Sequence, residues 1–568
     1  MAGVLYYRNH MKLEVVIVGA GMAGLTAAAY LCGSGNSVTI LEKEKSCGGL
    51  VNSYVRNGFT FDGGIRAIEN SGIVIPMLRQ LGIELEFLPS TVSVGFGRDV
   101  VKLSSDDSLK DYCELICRKF PDNRAEVEAI IVEVAKVMEY MDVLYGIDNP
   151  LFLDLKSNPE YVFKTILPWM FKYALTMPKV SKLHEAVDEY LGKFTKNQAL
   201  IDMFGQHFFK KTPTFFALSY FSLYLDYKYP KGGTGTLPGS LEHYIRAHGG
   251  KILNGVEVAG VDPAGRRLTD TKGVEYSYDG LVWAADCRAL YRKLDLASLR
   301  VALGAGSAVV KAVEAKALEV ADKHGSDSIF TLNLAVNLPP SYFGTIASAH
   351  FFYTPLTKGL SAVPLSEITL SVANKADEAQ NDAGNTAVLV VSADDLVSDK
   401  ARLFDWARRY LECTTYEISC PALRDPSLAP EGKSGLIVST LMEYSLVRKL
   451  KDMGHYEKFK DFCASKITEI LDGAIFPGLK EAVLDSFTST PLTIEAVTGN
   501  TDGAITGWAF TNPVMPAVHS LPRVARSVLT PIPGVYQAGQ WSFSPSGLPI
   551  SILTGKLAAD RLVKDLSR

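Results

Sequence analysis

The segment Val15–Glu42, VVIVGAGMAGLTAAAYLCGSGNSVTILE, constrains the fold more than any other stretch of the chain. It opens on Val15–Val18, all β-branched, which predicts a buried parallel strand. Gly19, Gly21 and Gly24 follow in G-x-G-x-x-G spacing, with Val18, Ala20, Met22 and Ala23 completing the loop. The first glycine permits a tight turn. The second lets the backbone approach a pyrophosphate, and the third lets the next helix lie close on the strand. A helix is expected over Ala23–Cys32, a break at Gly33–Asn36, and a second strand over Val38–Leu41. Glu42 ends that strand, twenty-three residues after Gly19. An acid there accepts hydrogen bonds from both hydroxyls of a ribose and disfavours a 2′-phosphate. Together these features predict a dinucleotide site. No charged residue falls between Val15 and Leu41, which also suits a membrane span, but the glycines and the turn at Gly33–Asn36 argue against one long helix.

A chain of 568 residues exceeds one core, so two or three domains are expected. The net charge of −4 gives no electrostatic case for nucleic acid. Eight cysteines without a CxxC pair read as a reduced, cytoplasmic chain. The first ten residues lack the apolar core of a signal peptide, and Met11 is a candidate start. No His or Cys cluster has metal-ligand spacing, so no metal is expected, and His207 and His243 read as core or surface residues.

Beyond Glu42 and Lys43 stand Cys47-Gly48-Gly49-Leu50-Val51-Asn52-Ser53 and then Phe59-Thr60-Phe61-Asp62-Gly63-Gly64-Ile65. Paired glycines after the ribose acid, a Ser, and an F-D-x-G strand resemble the flavoprotein amine oxidase and phytoene desaturase superfamily. The resemblance implies that Gly48, Gly49 and Ser53 pass beside the diphosphate of FAD, and that Gly63, Gly64 and Ile65 run toward its isoalloxazine ring. The family's arginine between the paired glycines and the Ser is replaced by Leu50. Lys231–Leu237, a helix over Gly239–His248 and a strand over Val256–Val261 are similar to the family's second FAD segment, which places Val256 at the adenine. Tyr278–Asp286, with Ala285, resembles the strand that returns beside the flavin. Gly534–Trp541 and Gly547–Gly555 resemble the last segment, which implies flavin contacts from Gly539, Gln540, Gly547, Leu548, Pro549 and Ile550, ahead of a final helix over Lys556–Leu566. Gln540 stands where the family often has an acid. The passage Ile418–Gly432 is similar to a proline-rich passage of carotenoid desaturases; on its own it reads as a turn between two strands.

The expected fold class is α/β: a Rossmann-like FAD-binding domain of the GR2 type, discontinuous over 12–75, 231–294 and 486–568. An inserted α+β substrate domain is expected over 76–230 and 295–485. Val127, Ile130, Ile131, Val134, Val137, Met138, Met141 and Leu144 recur at helical spacing and predict a core helix. Tyr161–Pro178 and Phe204–Tyr229 are aromatic and lysine-bearing; each suits a tunnel wall, a membrane surface or an ordinary core helix. Strands are expected over Ile329–Val336 and Ala387–Ser392.

Gly304–Val309 lacks the third glycine and the distant acid, so no built-in NAD(P)H domain is expected and FAD carries the chemistry. The resemblance implies a desaturase, saturase or cis–trans isomerase of an apolar polyene or isoprenoid lipid, with an apolar tunnel ending at the flavin and peripheral membrane contact. A fatty-acid double-bond isomerase or hydratase, an amine oxidase and a non-catalytic FAD-binding protein are the alternatives. Arg66 and Glu69 follow the F-D-G-G strand as charges in an apolar neighbourhood, and are the catalytic candidates. They are expected to pair with each other, with the flavin or with a polar substrate head; a plain ion pair capping the next helix is the competing expectation.

Overall fold

The structure is a computed structural model that describes residues 12–155, 159–369 and 399–566. Five parallel strands form the Rossmann sheet, in the order Lys251–Asn254, Ser37–Glu42, Glu14–Val18, Gly280–Trp283, Val535–Gln537. The order reverses at Glu14–Val18, the switch point where such sheets bind ligands. The helix Met22–Gly33 leaves that strand and packs against Thr236–Ala247 and Leu548–Leu566. Ten of its twelve residues are buried, which explains a charge-free sequence without any membrane. Among the described residues no helix is long and apolar enough to cross a membrane.

The second half is built on a seven-stranded mixed sheet, ordered Val483–Ser489, Ser328–Val336, Ser434–Met442, Tyr416–Ser419, His350–Thr354, Val92–Phe96, Asp99–Leu103. Only the His350–Thr354 and Val92–Phe96 pair runs parallel. Helices cover its outer face, with Phe330, Leu332, Tyr416, Leu436 and Trp406 in one buried cluster. The expected helix through Val127 and Leu144 spans Arg124–Tyr145, with Ile131 only half-buried.

Two expected boundaries shift. The strand Val483–Ser489 pairs along Ser328–Val336, so position 486 falls inside a strand of the substrate sheet. The helices Leu296–Leu303 and Ala308–Ala321 bury Leu299, Val310, Val313 and Val320 with Val16, Val18 and Trp283, on the Rossmann side and not in the substrate half. The expected strand Ala387–Ser392 lies outside the described residues.

The two aromatic stretches part ways. Residues of the run near Phe215 turn inward, and Phe208, Phe209, Phe216, Tyr220 and Tyr227 line a cavity. The other stretch becomes a π-turn, Val162–Ile166, continued by the helix Leu167–Val180. It is held by Trp169, whose Nε1 donates to Val143 O at 2.6 Å, while Phe163, Leu167, Met170, Phe171 and Leu175 are exposed.

Candidate active site

One cavity of about 1060 Å³ runs from the glycine loop, past Gly63–Glu69, to the inner face of the seven-stranded sheet. At its first end the glycine roles separate by what a side chain would meet. A Cβ on Gly24 would lie 2.0 Å from Gly19 O, so the helix needs glycine there to reach the strand. A Cβ on Gly21 would meet nothing within 4 Å, because Gly21 faces the cavity. The helix behind it has no side-chain cap and no acid in its first turn. Its N–H groups and dipole therefore remain available to an anion.

Glu42 sits at the cavity wall, with Oε2 accepting from Ala20 N at 2.6 Å and Oε1 from Glu44 N at 2.9 Å. The carboxylate braces the loop and retains lone pairs for a ribose. Lys43 lines the same wall and donates to Ala496 O at 2.7 Å. Gly48 N donates to Ala20 O at 2.8 Å, which lays the paired glycines along the first loop. Val18, Gly19, Met22, Ala23, Gly49, Gly63, Gly64, Ile65, Val256, Ala285, Gly539, Gln540, Gly547 and Leu548 also line the cavity. Val256 precedes its expected strand, which begins at Val258; its N donates to Glu42 O at 2.9 Å. Such a chain of loops fits a dinucleotide with its pyrophosphate at the glycine turn and its second ring system beside Gly63–Ile65.

Five of the expected contact residues stand back from the lining: Ala20, Gly24, Ser53, Pro549 and Ile550. Pro549 and Ile550 form the first turn of Leu548–Leu566. Ser53 serves the scaffold. Its Oγ donates to Asp62 Oδ1 at 2.7 Å and accepts from Gly235 N at 2.9 Å. Asp62 is buried and also accepts from Thr234 N, Thr234 Oγ1 and Tyr229 Oη, at 2.9, 2.9 and 2.7 Å. The acid of the F-D-G-G strand thus fastens the Gly232–Gly235 turn to the strand Phe59–Asp62.

Of the partners expected for Arg66 and Glu69, the fold does not use the first: the two do not pair with each other. Arg66 is 2% exposed and donates from Nη1 to Asp62 O at 2.7 Å and to Gly64 O, and from Nη2 to Ser439 Oγ at 2.9 Å. It clamps the turn before it onto the substrate sheet. Nor does the pair cap the next helix, Val74–Leu81, whose N-cap is Ile73. Replacing Arg66 by Ala strands two carbonyls, while Ser439 Oγ keeps its contact with Thr331 Oγ1 at 2.9 Å, and melting should show a loss of about 3 kcal/mol. A thermal melt unchanged from wild type would show that the clamp is not needed.

Glu69 faces the cavity from the strand Ile68–Glu69, with no ion-pair partner among the described residues. Burial, then the charge of Asp226, pushes its carboxyl up to about 7. Tyr145, Tyr220 and Tyr227 are the other titratable groups around it. His207 was expected to be an ordinary core or surface residue; it lines the cavity, 3.2 Å from Tyr224 Oη, and burial holds it down to about 4. It is a neutral imidazole there. Sequence reading also passed over His350 and Glu417, which line the sheet side. The available signal was a Glu and a His inside short apolar strands, Tyr416–Ser419 and His350–Thr354. Cys47 is absent from the lining, and burial pushes its thiol up to about 12. Among the described residues no group of three or more His, Cys, Asp and Glu could hold a metal.

Comparison with known proteins agrees with this geometry. Residues 17–81 match the family described as an NAD(P)-binding Rossmann-like domain. The protein named inactive all-trans-retinol 13,14-reductase of Danio rerio is 27% identical over 44% of this chain and 42% of its own length. The match therefore spans less than half of that relative. Prolycopene isomerase 2 of an Oncidium hybrid cultivar is 22% identical over 98% of this chain and 84% of its own length. Cyclohexylamine oxidase of Brevibacterium oxydans superposes with a TM-score of 0.54 at 12% identity, covering 98% of this chain and 100% of that one. The chain is thus a distant homologue of retinol saturase and prolycopene isomerase, with the fold of flavoprotein amine oxidases.

Proposed function

We propose that the chain is an FAD-dependent oxidoreductase that acts on carbon–carbon bonds of an elongated, largely apolar polyene or isoprenoid lipid, as a saturase, desaturase or cis–trans isomerase. The observation that carries this reading is the continuous cavity joining the dinucleotide loops to a chamber walled by Phe208, Phe209, Phe216, Tyr220, Tyr227 and Phe352. A chamber of that kind suits a long conjugated or isoprenoid chain, and its walls exclude water from the reacting carbons. When bound, FAD supplies the hydride acceptor or donor. The chain's own residues do the rest. Gly19–Gly24 and Glu42 hold the dinucleotide, and Arg66 places a fixed positive charge behind the Gly63–Ile65 turn. Glu69, poised between its two protonation states near neutrality, gives or takes the proton that accompanies hydride movement.

A second reading has a specific observation behind it: a relative matched here is named inactive, and Gln540 supplies no charge where the resemblance implies an acid. On that reading the chain binds FAD and does no chemistry. Mass spectrometry of the polyene and isoprenoid lipids of cells expressing this chain tests the choice. A lipid changed by two hydrogens or in double-bond geometry, and lost in a flavin-free variant, supports the enzyme. An unchanged lipid profile supports the scaffold.

The exposed face of Val162–Val180 is the proposed contact with a bilayer. Phe163, Leu167, Met170, Phe171 and Leu175 repeat at helical spacing, with Lys164, Lys172 and Lys179 exposed beside them. Apolar burial plus attraction to anionic lipid is the expected mode. The protein should float with anionic vesicles, and Phe171→Ser with Leu175→Ser should leave most of it at the bottom of the gradient. Wild-type protein that does not float would return this face to an ordinary surface.

A further inference from the structure

A second, smaller void of about 50 Å³ lies behind one wall of the aromatic chamber. His207, Phe208, Tyr220 and Phe352 line both spaces. With Tyr224 they close a ring of aromatic contacts. Centroids lie 3.9 Å apart from His207 to Phe208, 4.9 Å from Phe208 to Tyr220 and 5.7 Å from Tyr220 to Tyr224. The ring closes at 5.0 Å from Tyr224 to Phe352 and 5.7 Å from Phe352 back to His207. Tyr220 and Tyr224 stand one turn apart on the helix Tyr220–Asp226, and Phe352 reaches them from the strand His350–Thr354. Tyr224 Oη, 3.2 Å from His207 Nε2, ties two of the side chains together. Burial holds His207 neutral, so the ring carries no charge. Beyond the ring the void is lined by Val94, Leu103, Val134, Met203, Leu218 and Phe221. Among the described residues no charged side chain lines it, and its two threonine hydroxyls, of Thr354 and Thr415, bond each other at 2.8 Å. Native interiors are close-packed, and an apolar void stays dry. Only the thickness of the ring separates this one from the chamber.

We infer that the ring of His207, Phe208, Tyr220, Tyr224 and Phe352 is the end wall of the lipid chamber, which stops the leading end of the chain and so sets the length of lipid taken. The inference rests on the reading of the cavity as a lipid site and adds the length of chain, which that reading leaves open. Each further methylene buried strengthens binding until the chain meets the wall. Beyond that point added carbon either stays in water or forces the rings apart. Rings braced on both sides resist the second course, because none of them turns without losing two contacts. The limit is therefore one of packing and needs no polar group. Opening the ring joins the void to the chamber, and the void with the space of one vacated side chain takes several more carbons.

The test is the affinity of FAD-loaded protein for a series of all-trans conjugated polyene hydrocarbons that lengthen by one isoprene unit, read by quenching of protein fluorescence. Solubility falls along the series, so the quantity compared is the affinity ratio of neighbouring members in wild type and in variants. Tyr220→Ala and Phe208→Leu each open the ring; retained flavin reports the folding of each. In either folded variant the ratio for the first member beyond the wild-type limit should rise about tenfold or more, the scale of burying two further methylenes. Ala217 lines the void and not the chamber. Ala217→Val should therefore leave the wild-type ratios unchanged and cancel the gain when combined with Tyr220→Ala. Unchanged ratios in a folded Tyr220→Ala or Phe208→Leu protein overturn the end wall and leave the lipid reading intact. A gain that survives Ala217→Val also overturns it, since the added carbon then lies outside the void. Failure of every member to bind wild type overturns the lipid reading and the end wall with it.

Discussion

Gly21→Val should give a folded and colourless protein. A Cβ at this position meets nothing within 4 Å, so the two γ-carbons of valine project into the cavity and not into the core. They occupy the space in which a pyrophosphate would meet the uncapped N-terminus of Met22–Gly33. Binding should weaken by far more than the tenfold that about 1.4 kcal/mol represents. Gly24→Val is the contrasting variant. Its Cβ would lie 2.0 Å from Gly19 O, so it should fail at the level of folding. The ratio of flavin to protein absorbance, together with a thermal melt, separates the two. A Gly21→Val protein that holds one flavin per chain would remove the glycine loop from the binding site.

Glu69→Gln should lower turnover by about a hundredfold or more, the usual scale for losing a positioned proton carrier. The same substitution makes a stability prediction whose sign follows from burial. The folded-state carboxyl titrates at about 7, above its ordinary value of 4.5. The native protein therefore favours the protonated acid. Stability from Glu69 is complete below pH 4.5 and is lost as the pH rises through 7, by at most about 3 kcal/mol. Glutamine mimics the protonated form at every pH. The variant and wild type should melt together at low pH, and the variant should melt higher above neutrality. Wild-type turnover should change through a group near pH 7 that is missing from the residual activity of the variant. Normal turnover in the variant, with the melting difference intact, would make Glu69 a strained wall residue and no proton carrier.

What could be read before the structure follows from how local each rule is. Val15–Glu42 specifies its strand, turn and helix through neighbours within a few residues, and the glycine spacing carries the binding geometry with it. The sheet face is different. Thr331, Ser439 and Glu417 become neighbours only through register between strands that lie far apart in sequence. Each alone looks like a polar residue on a strand. The helices Leu296–Leu303 and Ala308–Ala321 carry an apolar stripe that says they pack but not on which half. Arg66 was legible as a buried charge, but its partners are carbonyls of its own turn and a serine on the other domain, which no spacing encodes. Ser53 and Asp62 illustrate the converse. The resemblance implies that Ser53 passes beside the cofactor, while the fold uses it with Asp62 to fasten two loops together.

The most direct test that one cavity serves both cofactor and lipid is an anaerobic titration of the FAD-loaded protein with a conjugated polyene lipid, following the flavin absorption spectrum in both redox states. A lipid chamber continuous with the flavin predicts that the spectrum of at least one state shifts or changes redox form, saturating at one polyene per flavin. A polyene that binds while both flavin spectra stay unperturbed would contradict it.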